Sequence, residues 1–308
     1  MRSQWLRRAC ASGWLSVPCG VMALGAHAAG VGDGAALARM QPGIFDESAA
    51  YERFMGQWSR HLAPLLVKFV GIRDGDSVLD IGSGTGALTF AVAEAVPSAR
   101  IIGVDPAAAY VAYAQARVPN DRVRFVVGDA QQLQLADGTF DRALSLLVMN
   151  FIPDPAKALR EMIRVTRPGS VIAAAVWDYD EGMQMLRIFW DEAVAGDPAV
   201  AARDERHMPL CKRGELAALW RAHGLVQVEE QPLTIQLSFA TFDDYWLPFL
   251  GGQGPAGAYV ARLSETERAA LRLRLRRRLL GDGQDRATTL QARAWAVKGV
   301  VPQPPPGT

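Results

Sequence analysis

The sequence predicts an α/β protein with a mostly parallel sheet that helices cover on both faces. Short apolar segments alternate with segments whose apolar residues recur at helical spacing, which is typical of strands joined by crossover helices. The strand segments are nearly continuous apolar runs, as expected for strands buried on both faces. A glycine cluster at residues 82–86 follows the first strand and indicates a ligand loop at the carboxyl edge of the sheet.

An amphipathic helix is predicted first, over residues 51–70, because apolar side chains recur there at spacings of three and four. Alternating strands and helices follow it. The predicted strands cover residues 77–81, 100–104, 123–127, 142–148 and 170–176. The predicted helices between them cover residues 87–96, 107–117 and 155–165, and the Pro168-Gly169 pair closes the last of these helices.

The rhythm changes after Trp177. We expect helices over residues 182–194 and 214–223, a long alternating strand over 225–239, an aromatic helical segment over 241–281 and a final strand at 292–297. The chain thus divides into a leader (1–39), an N-terminal helical cap (40–75), an α/β domain (76–300) with a helical insertion at about 240–290, and a disordered tail (301–308).

The balance of charges argues against a nucleic-acid-binding protein. The 33 lysines and arginines nearly equal the 32 aspartates and glutamates, so no global attraction to polyanions or anionic membranes is expected. We expect no stable membrane span in the body of the chain. Of three cysteines only Cys211 lies in that body, and no Cys/His cluster has metal-ligand spacing. We therefore expect a small-molecule partner and no metal site.

The glycine cluster by itself leaves three interpretations open. Glycines let backbone amides approach a ligand at the start of a helix. Gly82, Gly84 and Ala87 also fit the G-x-G-x-x-A form of a dinucleotide-binding loop. The loop therefore fits a methyl-donor site, a dinucleotide site or a merely structural turn.

Three acidic residues at strand ends favour the first interpretation. Asp80 lies inside the first strand end, where a carboxylate opposes a pyrophosphate but suits a cationic ligand. Asp105 ends the second strand, where a carboxylate can accept hydrogen bonds from both ribose hydroxyls. Asp129 follows the third strand, where it could accept a hydrogen bond from an adenine amino group. A dehydrogenase has no use for this third acid.

Four segments carry a family resemblance: VLDIGSGTGALT, IIGVDPA, FVVGDAQQL and FDRALSLLVMNFIPDPAKALREMIRVTRPGS. They resemble the successive motifs of class I S-adenosylmethionine-dependent methyltransferases, nearest to the type 11 branch that includes quinone-biosynthesis methyltransferases. The resemblance covers residues 76–177. It implies S-adenosyl-L-methionine as the cofactor and a Rossmann-like, doubly wound, mostly parallel seven-stranded sheet whose last strand is antiparallel.

The resemblance also implies which residues bind this cofactor. Those for its methionine part are Asp80, Gly82, Gly84 and Gly86; Asp105 holds the ribose, Asp129 and Ala130 meet the adenine, and Ser83, Pro106 and Leu146 complete the set.

The upstream segment YERFMGQWSR resembles the N-terminal helix that closes over the cofactor in this branch. Tyr51 and Arg60 could therefore touch the carboxylate of the cofactor. A helix that merely packs, with a solvated arginine, is the alternative.

One departure from the family concerns catalysis. Many type 11 members carry a histidine pair after the fourth strand, where this chain has Asn150-Phe151. Asn150 can orient an acceptor but cannot take its proton at neutral pH, so we expect catalysis to rest mainly on alignment. Trp177 is a candidate wall of the acceptor pocket, and His207 and Asp178 are candidate proton acceptors, although each also fits a structural role.

Two C-terminal features have open roles. Residues 242–250, FDDYWLPFL, could fold over the pocket and select an apolar acceptor, or could form the core of a helical subdomain. The arginine-rich helix opened by the capping box at Ser264 and Glu267 fits a solvated face better than an RNA or membrane contact.

The sequence thus predicts direct transfer of a methyl group from the sulfonium to a small-molecule acceptor. An NAD(P)-dependent oxidoreductase and a non-catalytic cofactor-binding relative are the alternatives. Residues 1–28 have the layout of a secretory signal that ends at Ala26-His27-Ala28. Because the methyl donor is a cytosolic metabolite, we expect a cytoplasmic enzyme that starts at Met40, with export to the periplasm or secretion as the alternative.

Overall fold

The computed structural model describes residues 51–118 and 120–303, and a seven-stranded sheet lies at its centre. The strand order is β3-β2-β1-β4-β5-β7-β6. The strands are β1 (Ser77–Ile81), β2 (Arg100–Asp105), β3 (Val123–Val127), β4 (Phe140–Leu146), β5 (Thr166–Trp177), β6 (Val226–Phe239) and β7 (Thr288–Val300). The first five strands pair in parallel, and β7 runs antiparallel to both of its neighbours, β5 and β6. The predicted fold class is confirmed, including the antiparallel last strand.

Helices precede the sheet and connect its strands. They are α1 (Gln57–Val70), α2 (Ala87–Ala95), α3 (Ala108–Gln115), α4 (Pro155–Val165), α5 (Gln184–Gly196), α6 (Glu215–Ala222), α7 (Phe242–Trp246), α8 (Gly254–Arg262) and α9 (Glu265–Leu280). A π-helical turn, Glu52–Gly56, leads directly into α1. Three-residue and longer 3₁₀ turns lie at Met149–Phe151, Pro198–Arg203, Glu205–His207 and Leu247–Gly251.

The end of α4 differs from the sequence prediction. The helix ends at Val165 and β5 starts at the next residue, so Pro168 and Gly169 lie inside a strand and do not form the turn that closes the helix. A shift in the β4–β5 register accommodates them, since pairing moves from Phe140 directly to Arg142. The Gly169 N–H is bonded to the carbonyl of Val301, at 2.8 Å. The residue that follows β7, the strand next to β5, therefore holds this pair in place.

The order of the strands fixes where a ligand can bind. Strand β1 has β2 on one side and β4 on the other, so successive crossovers lead away from β1 in opposite directions. Loops at the carboxyl ends of these strands diverge at that point and leave a crevice. The glycine cluster follows β1 and opens into this crevice.

The N-terminal helix packs over the sheet through buried aromatic residues. Trp58 in α1 meets Trp177 edge to face at 6.5 Å between ring centroids, and it lies 6.1 Å from Phe239. These contacts join α1 to the ends of β5 and β6. The residues just before α1 are consequently held above the carboxyl edge of the sheet.

The helices between β6 and β7 pack on α5 through a second aromatic cluster. Phe249 stacks on Phe189 at 4.5 Å, and Tyr245 lies 5.4 Å from Phe249. The segment 242–250 thus forms the core of the insertion and contributes no wall of the ligand cavity described below. One of its rings does reach the back of that wall, because Phe249 meets Phe54 edge to face at 5.4 Å.

Several predictions concern residues beyond this description. The leader (1–39), the part of the cap before Tyr51 and residues 304–308 lie outside the described residues. Hydrogen bonding to the sheet extends to Val301, a buried residue in the segment predicted as a disordered tail. Over residues 51–118 and 120–303, no helix combines the length and the apolar character needed to cross a membrane.

Candidate active site

A cavity of about 360 Å³ lies at the carboxyl edge of the sheet, beneath the start of α1 and beside the insertion. Its volume falls within the range of small-molecule sites, roughly 300–1,000 Å³. The residues of one end follow β1, β2 and β3: Gly82, Gly84, Val104, Asp105, Pro106, Ala107, Tyr110, Gly128, Asp129, Ala130 and Gln131. Tyr51 also lies at this end, 5.5 Å from Tyr110 between ring centroids. The remaining wall residues come from many segments: Phe54, Met55, Leu147, Val148, Phe151, Ile152, Pro153, Trp177, Tyr179, Leu186, Glu205, Gly254 and Pro255.

The glycine loop forms the floor between the two ends. Gly82 has φ +69°, and a Cβ there would come within 2.4 Å of the Val148 side chain. Gly84 has φ +51°, and a Cβ there would meet no atom within 4 Å. Gly82 is thus required by close packing, whereas Gly84 leaves the floor open to a ligand.

Asp105 supports the loop and faces the cavity. Its Oδ2 accepts the Gly84 N–H at 2.8 Å and its Oδ1 accepts the Ala107 N–H at 2.9 Å. Each oxygen keeps a further lone pair for a ligand hydroxyl. Burial raises the pKa of this carboxyl, and the two backbone hydrogen bonds oppose that shift.

Asp80 lies beneath the loop and is not part of the cavity wall. The Thr89 hydroxyl donates to its Oδ2 at 2.6 Å, and its buried Oδ1 has no hydrogen-bond partner among the described residues. The pKa of Asp80 is raised to about 7, mainly by burial and with a contribution from the nearby Asp105, while hydrogen bonds from Thr89 oppose the rise. The orphaned oxygen is suited to a cationic or donor group that enters from the loop.

The third predicted acid, Asp129, lies at the cavity. Its Oδ1 accepts the Gln131 N–H at 2.8 Å, which forms a tight turn after β3. Ala130 and Pro106 also line this end, as the sequence places them. No lysine, arginine or histidine occurs among the cavity-lining residues that the structure describes. The end near the glycine loop is therefore suited to a ligand with positive charge.

The N-terminal segment contributes Tyr51 to the wall but not Arg60. Arg60 has a half-exposed side chain that pairs with Glu52. The other oxygen of Glu52 accepts the Thr85 hydroxyl at 2.5 Å, so this residue ties the segment to the glycine loop. Glu52 was not among the predicted site residues, because a single acid at a helix start carries no functional signal in a sequence.

The end near the insertion is almost entirely apolar. Trp177 and Tyr179 are both buried there, and Leu186 reaches it from α5. The Trp177 indole Nε1 is buried and has no partner among the residues that are described. A ligand with one hydrogen-bond acceptor on an apolar frame would satisfy this N–H.

Among the described residues of this end, Glu205 alone carries a carboxyl group, and it was not among the predicted site residues. It is only 2% exposed, and burial raises its pKa to about 8. The Trp190 indole N–H donates to its Oε2. It belongs to a short 3₁₀ turn in an aperiodic segment, so no spacing rule marks it as a site residue.

Several predicted site residues lie outside the cavity. Asn150 is buried beside Tyr179 with its Nδ2 unpartnered, and His207 is exposed on the turn that also holds Glu205. Asp178 pairs with Arg293 and does not reach the cavity. Neither Asn150 nor His207 lines the described cavity, and their contact with an acceptor stays a prediction.

Ser83, Gly86 and Leu146 also lie outside the cavity wall. Leu146 is the last residue of β4, and the next residue, Leu147, faces the cavity with φ +65°. This left-handed turn redirects the chain, which strand alternation cannot predict. Gly86 starts α2, and a Cβ there would meet the Phe90 ring at 2.6 Å.

Comparison with known proteins supports the resemblance read from the motifs. Residues 79–174 match a family described as a methyltransferase domain. The chain is 38% identical over 109 residues to the ubiquinone/menaquinone biosynthesis C-methyltransferase of Bdellovibrio bacteriovorus. The alignment covers 35% of this chain and 46% of that protein. It is 30% identical over 149 residues to the demethylmenaquinone methyltransferase of Renibacterium salmoninarum, and this alignment covers 48% of this chain and 61% of that protein. The chain thus spans 36% to 61% of the length of such curated relatives.

Solved structures share the fold. Phosphoethanolamine N-methyltransferase 2 of Haemonchus contortus, in complex with S-adenosyl-L-methionine, aligns with a TM-score of 0.54 at 20% identity, over 89% of this chain and 60% of that chain. A putative methyltransferase from Bacillus halodurans aligns with a TM-score of 0.52 at 17% identity, over 78% of this chain and 99% of that chain. At these identities the likeness concerns the fold alone.

Proposed function

We propose that the protein transfers a methyl group from S-adenosylmethionine to a small, largely apolar acceptor, in keeping with the match of residues 79–174 to a methyltransferase domain. The observation that carries the proposal is the division of the cavity. One end has the open glycine loop and carboxyl groups, and the other end has apolar walls. A two-substrate transfer needs two such neighbouring subsites.

The residues near the glycine loop fit this methyl donor. The donor carries a positive sulfonium and an ammonium group, and the orphaned Oδ1 of the buried Asp80 can receive such a charge. Asp105 has lone pairs left for the ribose hydroxyls, and Asp129 with Ala130 can meet the adenine. These assignments are part of the proposal.

The same features disfavour a dinucleotide. A pyrophosphate would approach the carboxyls of Asp80 and Asp105 without a compensating lysine or arginine in the described wall. Like charges at short range in a buried site cost several kcal/mol, on the order of the ~4 kcal/mol expected for unit charges 4 Å apart near a protein surface. The oxidoreductase alternative therefore has no support in this cavity.

The contribution of the protein to the reaction is mainly positional. When bound, the cofactor supplies a methyl group on a good leaving group, so the barrier depends on aligning the acceptor with it. Val148 and Gly82 lie in contact at the floor between the two ends and limit how the two substrates approach. Phe54, Met55 and Trp177 enclose the acceptor end and exclude water from it.

The names of the relatives point to a ring-shaped apolar acceptor. Two of them are named for quinone methylation, and aromatic side chains such as Trp177, Tyr179 and Phe151 line the corresponding end of this cavity. We place the protein in the cytoplasm, since the methyl donor is made there.

Calorimetry on the full chain tests the proposal. We expect S-adenosylmethionine to bind and NADH not to bind. Asp105→Ala should weaken binding of the methyl donor at least about tenfold, because hydrogen bonds to a charged group contribute roughly 1.5–3 kcal/mol. Asp121→Ala, a change at an exposed aspartate, is the matched control and should leave the affinity unchanged. Binding of NADH in place of the methyl donor would overturn the proposal.

Turnover is the second test. Incubation with the labelled methyl donor and a set of small aromatic acceptors should produce S-adenosylhomocysteine. A protein that binds the donor tightly but never forms this product with any acceptor would be a non-catalytic relative.

A further inference from the structure

Glu205 is a buried carboxyl group in the wall of the acceptor end, held by residues of three segments. It lies in the 3₁₀ turn Glu205–His207, between α5 and α6. The Trp190 indole N–H of α5 donates to its Oε2, and the backbone N–H of Ala256 in α8 also bonds to it. These donors fix the carboxyl in place at the cavity.

The charged neighbours of Glu205 are engaged elsewhere. Arg187 forms an ion pair with Asp204, and Arg206 donates its Nε–H to the same carboxylate at 2.8 Å. Within the described part of the chain Glu205 has no ion pair of its own. Its negative charge therefore lacks a cationic partner in the fold, and a cationic or proton-donating ligand in the cavity would favour that charged form.

We propose that Glu205 binds the methyl acceptor and receives its proton, and that the acceptor is a neutral apolar molecule that carries a hydroxyl group. This inference rests on the proposed function, since it concerns the acceptor end of the same cavity. It names the chemical class of the substrate and the group that deprotonates it.

The polar atoms at the acceptor end select a hydroxyl. The end offers an acceptor of hydrogen bonds at Glu205 and an unpartnered donor at Trp177 Nε1. A hydroxyl group is at once a donor and an acceptor, so it can satisfy both. An anionic acceptor has no cation to pair with among the described wall residues, and it would meet a carboxyl group instead.

The reaction balances with Glu205 as the base. A lone pair of the acceptor oxygen forms the new O–CH₃ bond, and the S–CH₃ bond breaks with its electron pair returning to sulfur. The O–H bond of the acceptor breaks, and its proton moves to the Glu205 carboxylate. One positive and one negative charge disappear, leaving a neutral thioether, a neutral ether and a protonated glutamic acid.

The environment of Glu205 poises this proton transfer near neutral pH. Its pKa is raised to about 8, mainly by burial and with a contribution from Asp204, while backbone hydrogen bonds and Arg187 oppose the rise. Tyr179 and Cys211 also face this group, and burial raises the pKa of both so that they stay neutral. The step requires the carboxylate form, so its rate should increase as the pH rises toward 8. A cationic cofactor in the same cavity favours that form.

Ligand binding in the presence of S-adenosylhomocysteine tests the inference without knowledge of the natural acceptor. The probes are 4-propylphenol, 4-propylanisole and 4-propylbenzoate, which share one frame and differ in the polar group. We expect the wild type to bind the phenol about tenfold more tightly than the anisole, and not to bind the benzoate. Glu205→Gln should lose the preference for the phenol, whereas Glu94→Gln, at an exposed glutamate, should keep it.

A spectroscopic titration provides a readout that a structural role would not produce. Because Trp190 donates to Glu205, its fluorescence should change as this carboxyl ionises. The wild type should show this transition, and the phenol should shift it. Loss of the transition in Glu205→Gln would support the assignment. If that variant fails to fold, the titration of the wild type with and without the phenol decides alone.

The outcomes separate this inference from the proposed function. A wild type that does not bind S-adenosylhomocysteine would contradict the proposed function itself. A wild type that binds it but binds phenol and anisole equally, or a folded Glu205→Gln that keeps the preference, would overturn only the role of Glu205.

Discussion

At the scale of single residues, the site is organised by carboxyl groups that differ in burial. Asp105 is held by two backbone N–H donors and faces the cavity, whereas Asp80 is wholly buried with one oxygen unpartnered. Glu205 lies at the opposite end with a pKa raised to about 8. The protonation state of each of these acids, and hence the chemistry at its end of the cavity, therefore depends on its environment and not on its residue type.

Gly82 offers a test of the close packing at the floor of the cavity. Gly82→Ala should destabilise the protein by about 1–3 kcal/mol through its φ of +69° and further through the 2.4 Å approach to Val148, and it should abolish binding of the methyl donor. Gly75→Ala, also at positive φ but in open space, is the matched control. Urea denaturation and calorimetry provide the two measurements.

A double variant identifies the cause. Val148→Ala removes the two methyl carbons that the new Cβ would meet at 2.4 and 2.5 Å and leaves the Val148 Cβ at 2.8 Å, so it should restore part of the stability of Gly82→Ala. If Gly75→Ala and Gly82→Ala are destabilised equally, the contact with Val148 has no importance.

At the scale of elements, the cavity is closed by segments that are anchored behind it. The π-helical turn before α1 is tied to the glycine loop by the Glu52–Thr85 hydrogen bond of 2.5 Å, and Trp58 packs α1 onto Trp177. On the other side, Phe249 supports the back of Phe54. Two elements that are far apart in the sequence thus form one roof.

The insertion should stabilise the roof through Phe249. Phe249→Ala removes a fully buried ring stacked at 4.5 Å on Phe189 and should cost about 3–5 kcal/mol. It should also weaken binding of apolar probes more than binding of S-adenosylhomocysteine, because Phe54 loses its support. Leu247→Ala in the same 3₁₀ turn is the control, since that side chain is 55% exposed. An equal loss of melting temperature in both variants would contradict this role.

At the scale of the whole molecule, the buried acids make stability depend on pH. Asp80 and Glu205 keep their protons in the folded state up to about pH 7 and 8, whereas their ordinary pKa values are 3.8 and 4.5. Asp141 and Glu161 behave in the opposite sense, because hydrogen bonds from Arg167 and Arg164 lower their pKa. Stability should therefore be greatest at mildly acidic pH.

The expected change has a definite sign. Between the ordinary and the raised pKa the folded chain binds more protons than the unfolded chain, so the free energy of unfolding falls as the pH rises from about 4 to about 7 or 8, and this contribution is lost above the raised pKa. Each such group contributes up to about 1.4 kcal/mol per pH unit. Urea denaturation should give a higher midpoint at mildly acidic pH than at mildly alkaline pH.

Glu205→Gln should reduce that difference, because the glutamine cannot titrate, and Glu94→Gln should not alter it. An unchanged difference in Glu205→Gln would show that this residue does not hold its proton in the folded protein. Asp80→Asn tests the second group in the same way.

The local pattern of the sequence was sufficient for the fold and for the end of the cavity near the glycine loop. Apolar periodicity determined the five parallel strands, and the strand ends placed Gly82, Asp105 and Asp129 at one edge of the sheet. These features are local, since a strand and the turn that follows it occupy neighbouring residues. The family match over residues 79–174 covers the same part of the chain.

Only the tertiary structure decided the acceptor end. Glu205, Gly254 and the start of α1 come from distant segments, so no spacing in the sequence relates them. Leu147, whose backbone is left-handed, lines the cavity in place of the predicted Leu146. Asn150 is buried outside the cavity wall. The loop after a strand is placed by the chain itself, because the two are neighbours in sequence. A pocket wall depends on how separate elements pack, and no local sequence pattern encodes that packing.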